Sequence, residues 1–264
     1  MSNEIQVSFD IEKCIGCGAC VRDCQRRALE IQNNKAVITG AHCFGCGHCL
    51  AICPENAVKI SGCDDEIWEI SDGPVFLGEA ELLTHLKSRR SIRQYKETPV
   101  EREKIDKIIE AGRLTPTGSN AQNVRYIVVQ NEIDSLEDEV IAQYKLSNEP
   151  NPPEHAVKLA PSFSPDRLKR GFLFHRAPLL ILVVSPNETN GSLAAMSMEL
   201  MAEALGLGTV YVGLFTRPAN LNKKLLKSLG LGEEEKIAVC LAIGYPKVQY
   251  RRTAPRKAAN VVWR

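Results

Sequence analysis

The chain has 264 residues, 44% of them apolar and 25% charged, a composition that fits one or two globular domains and excludes disordered, collagenous and coiled-coil classes. Lys plus Arg number 33 against 32 Asp plus Glu, and that balance gives no general case for nucleic acid or an anionic membrane surface. The opening MSNEIQVSFDIEK lacks a basic start followed by an apolar core, and no segment offers about 18 uninterrupted apolar residues, so a cytoplasmic location without a membrane span is expected.

All the cysteines but Cys240 lie at or before Cys63. In a reducing compartment such a block points to metal rather than disulfides. Cys14, Cys17, Cys20 and Cys24 recur at one constant offset as Cys43, Cys46, Cys49 and Cys53, and ALEI at 28–31 is matched at the same offset by AVKI at 57–60, so a whole unit is duplicated. Each unit is expected to run from a Cys-rich loop through a short polar turn into a strand, with a hairpin signal at Asn33 and Asn34. Units this small need metal to make up for a missing core.

The spacing CxxCxxCxxxC places three thiolates around one face of a cubic cluster and turns the fourth toward a neighbour. Structural zinc is the competing reading, but a tetrahedral site from two CxxC pairs does not call for a third Cys at the same spacing. Residues 1–62 resemble two-cluster bacterial ferredoxins. That resemblance implies two 4Fe-4S clusters, one on Cys14, Cys17, Cys20 and Cys53, the other on Cys43, Cys46, Cys49 and Cys24. Pro54 follows Cys53 as the family pattern requires, whereas Gln25 follows Cys24, a departure that bears on the shielding of the second cluster. Cys63 fits neither quartet, and Cys240, within KIAVCLAIG, is expected to be a small buried hydrophobe.

Residues 63–77 are expected to form a linker. Seven carboxylates fall between Asp64 and Glu81, with no Lys or Arg between Lys59 and Lys87, and Ser71, Asp72, Gly73 and Pro74 form a turn cluster. A solvated connection is the plain reading of this acidic run, and a docking surface for a basic partner is the alternative.

From residue 78 to 264, helices and strands alternate. Leu82, Leu83 and Leu86 give one helical stripe, and Ile105, Ile108 and Ile109 a second that stops near Gly112. Strands are expected at 124–130, 179–184, 209–213 and 237–244, with a long helix whose core side carries Leu193, Met196, Leu200, Met201, Ala204 and Leu205. The mixture predicts an α+β or α/β layer fold, a central sheet covered by helices. The segment 148–178 holds six of the 14 prolines and reads either as a lid or as a variable surface excursion, and His175 within it as a structural rather than a catalytic residue.

No GxGxxG follows a strand here, and GLGTVYVG at 206–213 has the wrong spacing, so a Rossmann dinucleotide site is not indicated. RRSIRQY at 89–95 instead gathers three guanidinium groups and a hydroxyl, chemistry suited to a phosphate monoester, although a basic helix end also complements the helix dipole. A small polar loop, TPTGSNAQ at 115–122, and the late basic stretch YRRTAPRKAANVVW at 250–263 accompany it.

Together these motifs resemble the nitroreductase family of FMN enzymes over residues 78–264. The resemblance implies an α+β sandwich working as an intertwined homodimer with FMN at the subunit interface. By position, Arg89, Ser91 and Arg93, with Arg90 beside them, would meet the FMN phosphate and ribityl chain. Pro116, Thr117, Gly118, Ser119 and Asn120 would reach the flavin of the other subunit, with Gln122 near its ring or ribityl hydroxyls. Backbone amides of Gly213 and Leu214 would support the ring nitrogen that takes up hydride, and Arg256 would close the phosphate site with Lys257 and Arg252 as neighbours. Family members often continue the loop as NxQPW, where this chain has Asn120, Ala121, Gln122, Asn123, Val124, and Gly213 stands where some relatives place an acid.

The function implied is an FMN-dependent oxidoreductase exchanging electrons between 4Fe-4S clusters and flavin, and reducing or oxidising a small organic substrate such as a nitroaromatic or quinone. An external donor, ferredoxin or NAD(P)H, would complete the cycle. The alternatives are a non-catalytic electron carrier or redox sensor, and a flavin-modifying or dehalogenating relative.

Overall fold

A computed structural model describes residues 5–40, 42–63, 65–70, 73, 76–147, 149–152, 163 and 167–264. Ser71, Asp72 and Pro74 of the expected turn, and most of the 148–178 segment before residue 167, lie outside the described residues. The chain divides into two compact units, residues 1–75 with 117–121, and residues 76–116 with 122–264.

In the first unit, β1 (Gln6–Phe9) pairs antiparallel with β4 (Val58–Ser61), Gln6 opposite Ser61. β2 (Leu29–Gln32) and β3 (Lys35–Ile38) form a hairpin. Its two turn residues, Asn33 and Asn34, have φ of 49° and 61°, the paired left-handed conformation of a tight hairpin turn. The duplication is visible in the backbone. Gly18 (φ 72°) caps the short α1 (Ala19–Asp23), and its counterpart in the second repeat, Gly47 (φ 78°), caps α2 (His48–Ala51). A polar turn was the expectation at these two places, and single helical turns stand there instead. Four or five residues are too few for a 3.6-residue period to register. At Gly16 (φ 68°) a Cβ would lie 2.3 Å from the Asn34 carbonyl oxygen, so the Cys loop can approach the hairpin only through glycine. The core is small, with Cys20, Leu29 and Ala36 as its buried centre.

The second unit is built on an antiparallel sheet of order β5-β6-β8-β7, made of β5 (Arg125–Val129), β6 (Leu179–Ser185), β7 (Gly208–Tyr211) and β8 (Lys236–Gly244). Alternate residues of β6 serve opposite faces. Leu180, Leu182 and Val184 join Val140, Tyr144, Phe174 and Phe215. Leu179, Ile181 and Val183 join Ile105, Ile108, Ala194 and Met198 on the other face. The covering helices are α3 (Glu79–Ser88), α4 (Arg102–Arg113), α5 (Ile133–Leu146), α6 (Glu188–Ala204), α7 (Gly213–Leu221) and α8 (Lys223–Ser228). This is the α+β layering expected, and no helix among the described residues is long and apolar enough to cross a membrane.

Three local expectations are corrected. The core face of α6 is Ala194, Ala195, Met198 and Ala202, while Leu193 is 50% exposed and Met196 and Leu200 are only half-buried. Apolar residues surround this helix, so periodicity did not select a face. Closeness did, since a Cβ on Gly191 would lie 2.5 Å from that of Ala238 and small side chains must line the contact. The strand expected to run to Gly213 ends at Tyr211, and Gly213 instead opens α7. The α3 stripe of Leu82, Leu83 and Leu86 is exposed.

Ahead of β6 the chain is braced by Glu137, a buried carboxylate of α5 that accepts hydrogen bonds from the amides of Gly171 (2.6 Å), Leu173 (2.6 Å) and Phe174 (3.3 Å). Three amide donors satisfy a charge that burial would otherwise penalise.

Candidate functional site

In the first unit Cys14, Cys17, Cys20 and Cys53 line one cavity together with Phe9, Gly16 and Pro54. The fourth thiol of the second repeat thus joins the first three of the first repeat. Backbone amides point at the sulfurs. Ala28 N donates to Cys24 Sγ and Ala57 N to Cys53 Sγ, both at 3.4 Å and at equivalent positions of the two repeats. Cys14 Sγ accepts from Ala36 N and Cys43 Sγ from Gly45 N, again at 3.4 Å. Such bonds stabilise negative charge on sulfur and are one of the levers on cluster potential. They hold the Cys14 thiol below its usual range, the Ala36 amide being the largest cause, while burial pushes Cys20 up and Cys49 up to about 11. Among the described residues no three Cys, His, Asp or Glu side chains converge to hold a single ion. The thiols surround a space instead, as a cluster's ligands do. Cys24 and Cys49 pack against the small core, and Cys43 and Cys46 are exposed. Cys240 is fully buried in β8, where burial raises its thiol, and Cys63 is exposed.

In the second unit the residues that follow α3 are laid against β7 and the C-terminal segment. Ile92 N donates to Thr209 O (2.9 Å), Lys96 N to Tyr245 O (2.8 Å) and Lys247 N to Gln94 O (2.9 Å). The Tyr95 hydroxyl reaches the carbonyls of Ile92 (2.8 Å) and Ala242 (3.0 Å). Gly208 permits this approach, since a Cβ there would meet Ile92 Cγ1 at 2.3 Å. Arg90 and Ser91 are left half-buried and Arg93 exposed on this pinned segment. Arg89 ends α3, and its Nη1 donates to Glu199 Oε1 at 2.6 Å.

The Tyr250 hydroxyl donates to Ser91 O (3.4 Å), so the late basic stretch does pass the arginine segment. Arg252, Arg256 and Lys257 follow on the exposed tail. Gly213 and Leu214 form the first turn of α7, where their amides have no intrahelical acceptor. A cavity of about 630 Å³ opens there, lined by Tyr211, Val212, Gly213, Thr216, Asn220 and Lys236. An amide pair at a helix N-terminus suits an electron-rich ring atom.

The polar loop is conformationally unusual. Ser119, Asn120 and Gln122 have φ of 55°, 53° and 46°, three non-glycine residues in a left-handed region that costs energy and gathers at functional sites. Residues 117–121 group with the first unit, where Asn120 Nδ2 donates to Phe44 O (3.0 Å) and Gly45 O (3.2 Å) in the second Cys loop. Pro116, Gly118, Ser119 and Gln122 are exposed and Thr117 half-buried. At the loop exit Asn123 Oδ1 accepts from the buried Asn190 (3.2 Å), which gives the departure from NxQPW a local role.

Two residues at this site were not anticipated. Glu199 is 2% exposed and Thr209 fully buried. A Glu set among apolar neighbours in the run MSMELMAEAL was the available signal for the first, and nothing marked the second.

A nitroreductase-family model matches residues 86–245, more than half of the chain. The chain belongs to the nitroreductase family. A 4Fe-4S dicluster domain model matches residues 13–57, so this nitroreductase-family oxidoreductase carries a ferredoxin-like iron–sulfur domain. An Archaeoglobus fulgidus protein named as an NADH dehydrogenase/NAD(P)H nitroreductase is 26% identical over 63% of this chain and 86% of its own length. The iodotyrosine deiodinase of Hydra vulgaris is 26% identical over 61% of this chain and 63% of its own length. In fold, the Bacteroides fragilis nitroreductase with bound FMN superposes with a TM-score of 0.54 at 20% identity, covering 69% of this chain and 99% of that one. A Desulfitobacterium hafniense nitroreductase with bound FMN also gives 0.54, at 22% identity, covering 69% of this chain and 98% of that one.

Proposed function

We propose that this chain is an FMN-dependent oxidoreductase in which two 4Fe-4S clusters in a domain over residues 1–62, joined by a linker over 63–77, exchange electrons with FMN held by residues 78–264. The substrate is a small, flat, electron-poor organic molecule such as a nitroaromatic or quinone. The observation that carries the reading is the pinned arginine segment. Its backbone is tied to β7 and the C-terminal stretch, and along it Arg90 and Ser91 are half-buried and Arg93 exposed.

The residues present fit both groups. Eight thiols in two matched sets, with amides directed at sulfur, have the donor chemistry of two four-iron clusters. Arg90, Ser91 and Arg93 supply guanidinium forks and a hydroxyl for a phosphate, with Arg256 and Lys257 as further cations on the tail. Gly213 and Leu214 offer amides for the flavin ring, and the strained loop at Pro116, Thr117, Gly118, Ser119, Asn120 and Gln122 is the proposed contact with the flavin of a second subunit in a homodimer. Bound together, the cofactors supply one-electron exchange at the clusters and hydride chemistry at the flavin. The chain's own part is to hold, orient and shield them, since no side-chain nucleophile is called for.

The test is rapid anaerobic mixing with a low-potential one-electron donor such as reduced ferredoxin. Iron–sulfur absorbance is expected to fall before flavin absorbance, and a chain with Cys14→Ser and Cys43→Ser should keep FMN while losing the fast phase of flavin reduction. Equal rates in that folded, flavin-loaded chain would take the clusters off the route.

A further inference from the structure

We infer that Glu199 is a positioning residue for the cofactor's anionic arm, acting through Arg89. The inference rests on the proposed function together with the placement, implied by the family resemblance, of Arg89 at the FMN phosphate and ribityl chain.

Glu199 lies on the core-facing side of α6 and is 2% exposed. A carboxylate there is costly unless it is paired. Its partner is Arg89, with Nη1 to Oε1 at 2.6 Å, and Thr209 Oγ1 adds a weaker donor at 3.4 Å. Thr209 works at two points, because its carbonyl also accepts from Ile92 N at 2.9 Å. One residue of β7 therefore seats both the backbone of the arginine segment and the carboxylate that holds the segment's first side chain.

The pairing is incomplete on both sides, Glu199 Oε2 too being buried without a hydrogen-bond partner. A guanidinium presents five N–H donors in a rigid fork, and a pair built for stability alone would engage a carboxylate through two of them. Here Arg89 Nε is buried and has no hydrogen-bond partner. Anchored through Nη1, the planar group is fixed in direction, and its side chain, 27% exposed, can present its remaining outer donors to the phosphate or a ribityl hydroxyl. A second contact one turn away gives an internal comparison. His85 of α3 meets Glu203 of α6 at 2.8 Å, a side-chain contact that joins the same two helices, while the His85 carbonyl accepts from Arg89 N at 3.0 Å.

The experiment titrates FMN into the flavin-stripped full-length chain and its variants, following flavin fluorescence, with thermal melts alongside. Glu199→Gln should weaken FMN binding by about tenfold or more, the scale of one charge-assisted hydrogen bond. Glu199→Asp should recover part of the loss, and Glu203→Gln should bind within about twofold of wild type. In the Arg89→Ala background, Glu199→Gln should add almost nothing, because its effect passes through that arginine. Wild-type affinity in Glu199→Gln, tighter binding, or an equal loss in both backgrounds would overturn the inference. If Glu199→Gln does not fold, Thr209→Val and Glu199→Asp carry the test, with an intermediate loss expected and wild-type affinity in both overturning the inference. An Arg89→Ala chain with full FMN affinity would refute the placement of Arg89 itself. Loss with Arg89→Ala but not with Glu199→Gln would refute only the role of Glu199.

Discussion

Gly208→Ala adds a single methyl where the structure has no room for one. The new Cβ would stand 2.3 Å from Ile92 Cγ1, 2.8 Å from Ile92 Cβ and 3.0 Å from Pro246 Cγ. To reach ordinary contact, Ile92 must retreat by about 1 Å. That displacement breaks the 2.9 Å bond from Ile92 N to Thr209 O and carries Arg90 and Ser91 with it. Overpacking of this kind costs roughly 1–3 kcal/mol, and the lost bond about 1 more. Alanine is no worse than glycine in a strand, so the backbone offers no other source of loss. The assay is a thermal melt paired with FMN titration, and the expected outcome is a melting point lower by several degrees and FMN affinity reduced by about tenfold or more. Adding Ile92→Ala removes Cγ1 but keeps Cβ, so the double variant should recover only part of the affinity. Unchanged melting and FMN affinity in Gly208→Ala would refute the seating of residues 89–93 on β7.

Cys53→Ser and Cys24→Ser should damage different clusters. The first should impair the cluster whose other ligands are Cys14, Cys17 and Cys20, with whose thiols Cys53 shares a cavity, and cluster-resolved EPR showing loss confined to the Cys43, Cys46, Cys49 set would contradict that crossing. A further expectation concerns pH, since burial holds the Glu203 carboxyl above its ordinary value of 4.5, with His85 opposing the shift and Glu199 adding to it. The unfolded chain ionises first, so the contribution of this one group to stability is full below pH 4.5 and declines as pH rises from there through the folded value. Glu203→Gln, neutral throughout, should flatten that decline in denaturation curves, and parallel pH profiles for the two chains would remove Glu203 as its source.

The sequence carried the large features because each rested on a rigid chemical constraint. A constant offset between two sets of thiols can be read without any structure, and it recurs in Gly18 and Gly47, and in the amides of Ala28 and Ala57. The strands at 125–129, 179–185 and 236–244 were legible from short β-branched and aliphatic runs. What sequence left hidden depends on neighbours distant along the chain. The buried face of α6 was decided by how closely Gly191 meets Ala238, and the seat for the arginine segment by Gly208 and Thr209, residues that carry no motif of their own. Glu199 likewise acquires meaning only once Arg89 is seen beside it.

The pairing of β1 with β4 bears on how the iron–sulfur unit can be combined with other proteins. Gln6 stands opposite Ser61 and Phe9 opposite Val58, so the strand by which the polypeptide enters the unit and the one by which it leaves are side by side, their facing Cα atoms about 5 Å apart. A module whose two ends meet can be spliced into a surface loop of a host as readily as it can be appended to one end, because the host's loop need not be pulled apart to receive it. Recombination can thus move such a two-thiol-quartet cassette between enzymes as a single block, with the exit strand handing the chain on close to where the host left off.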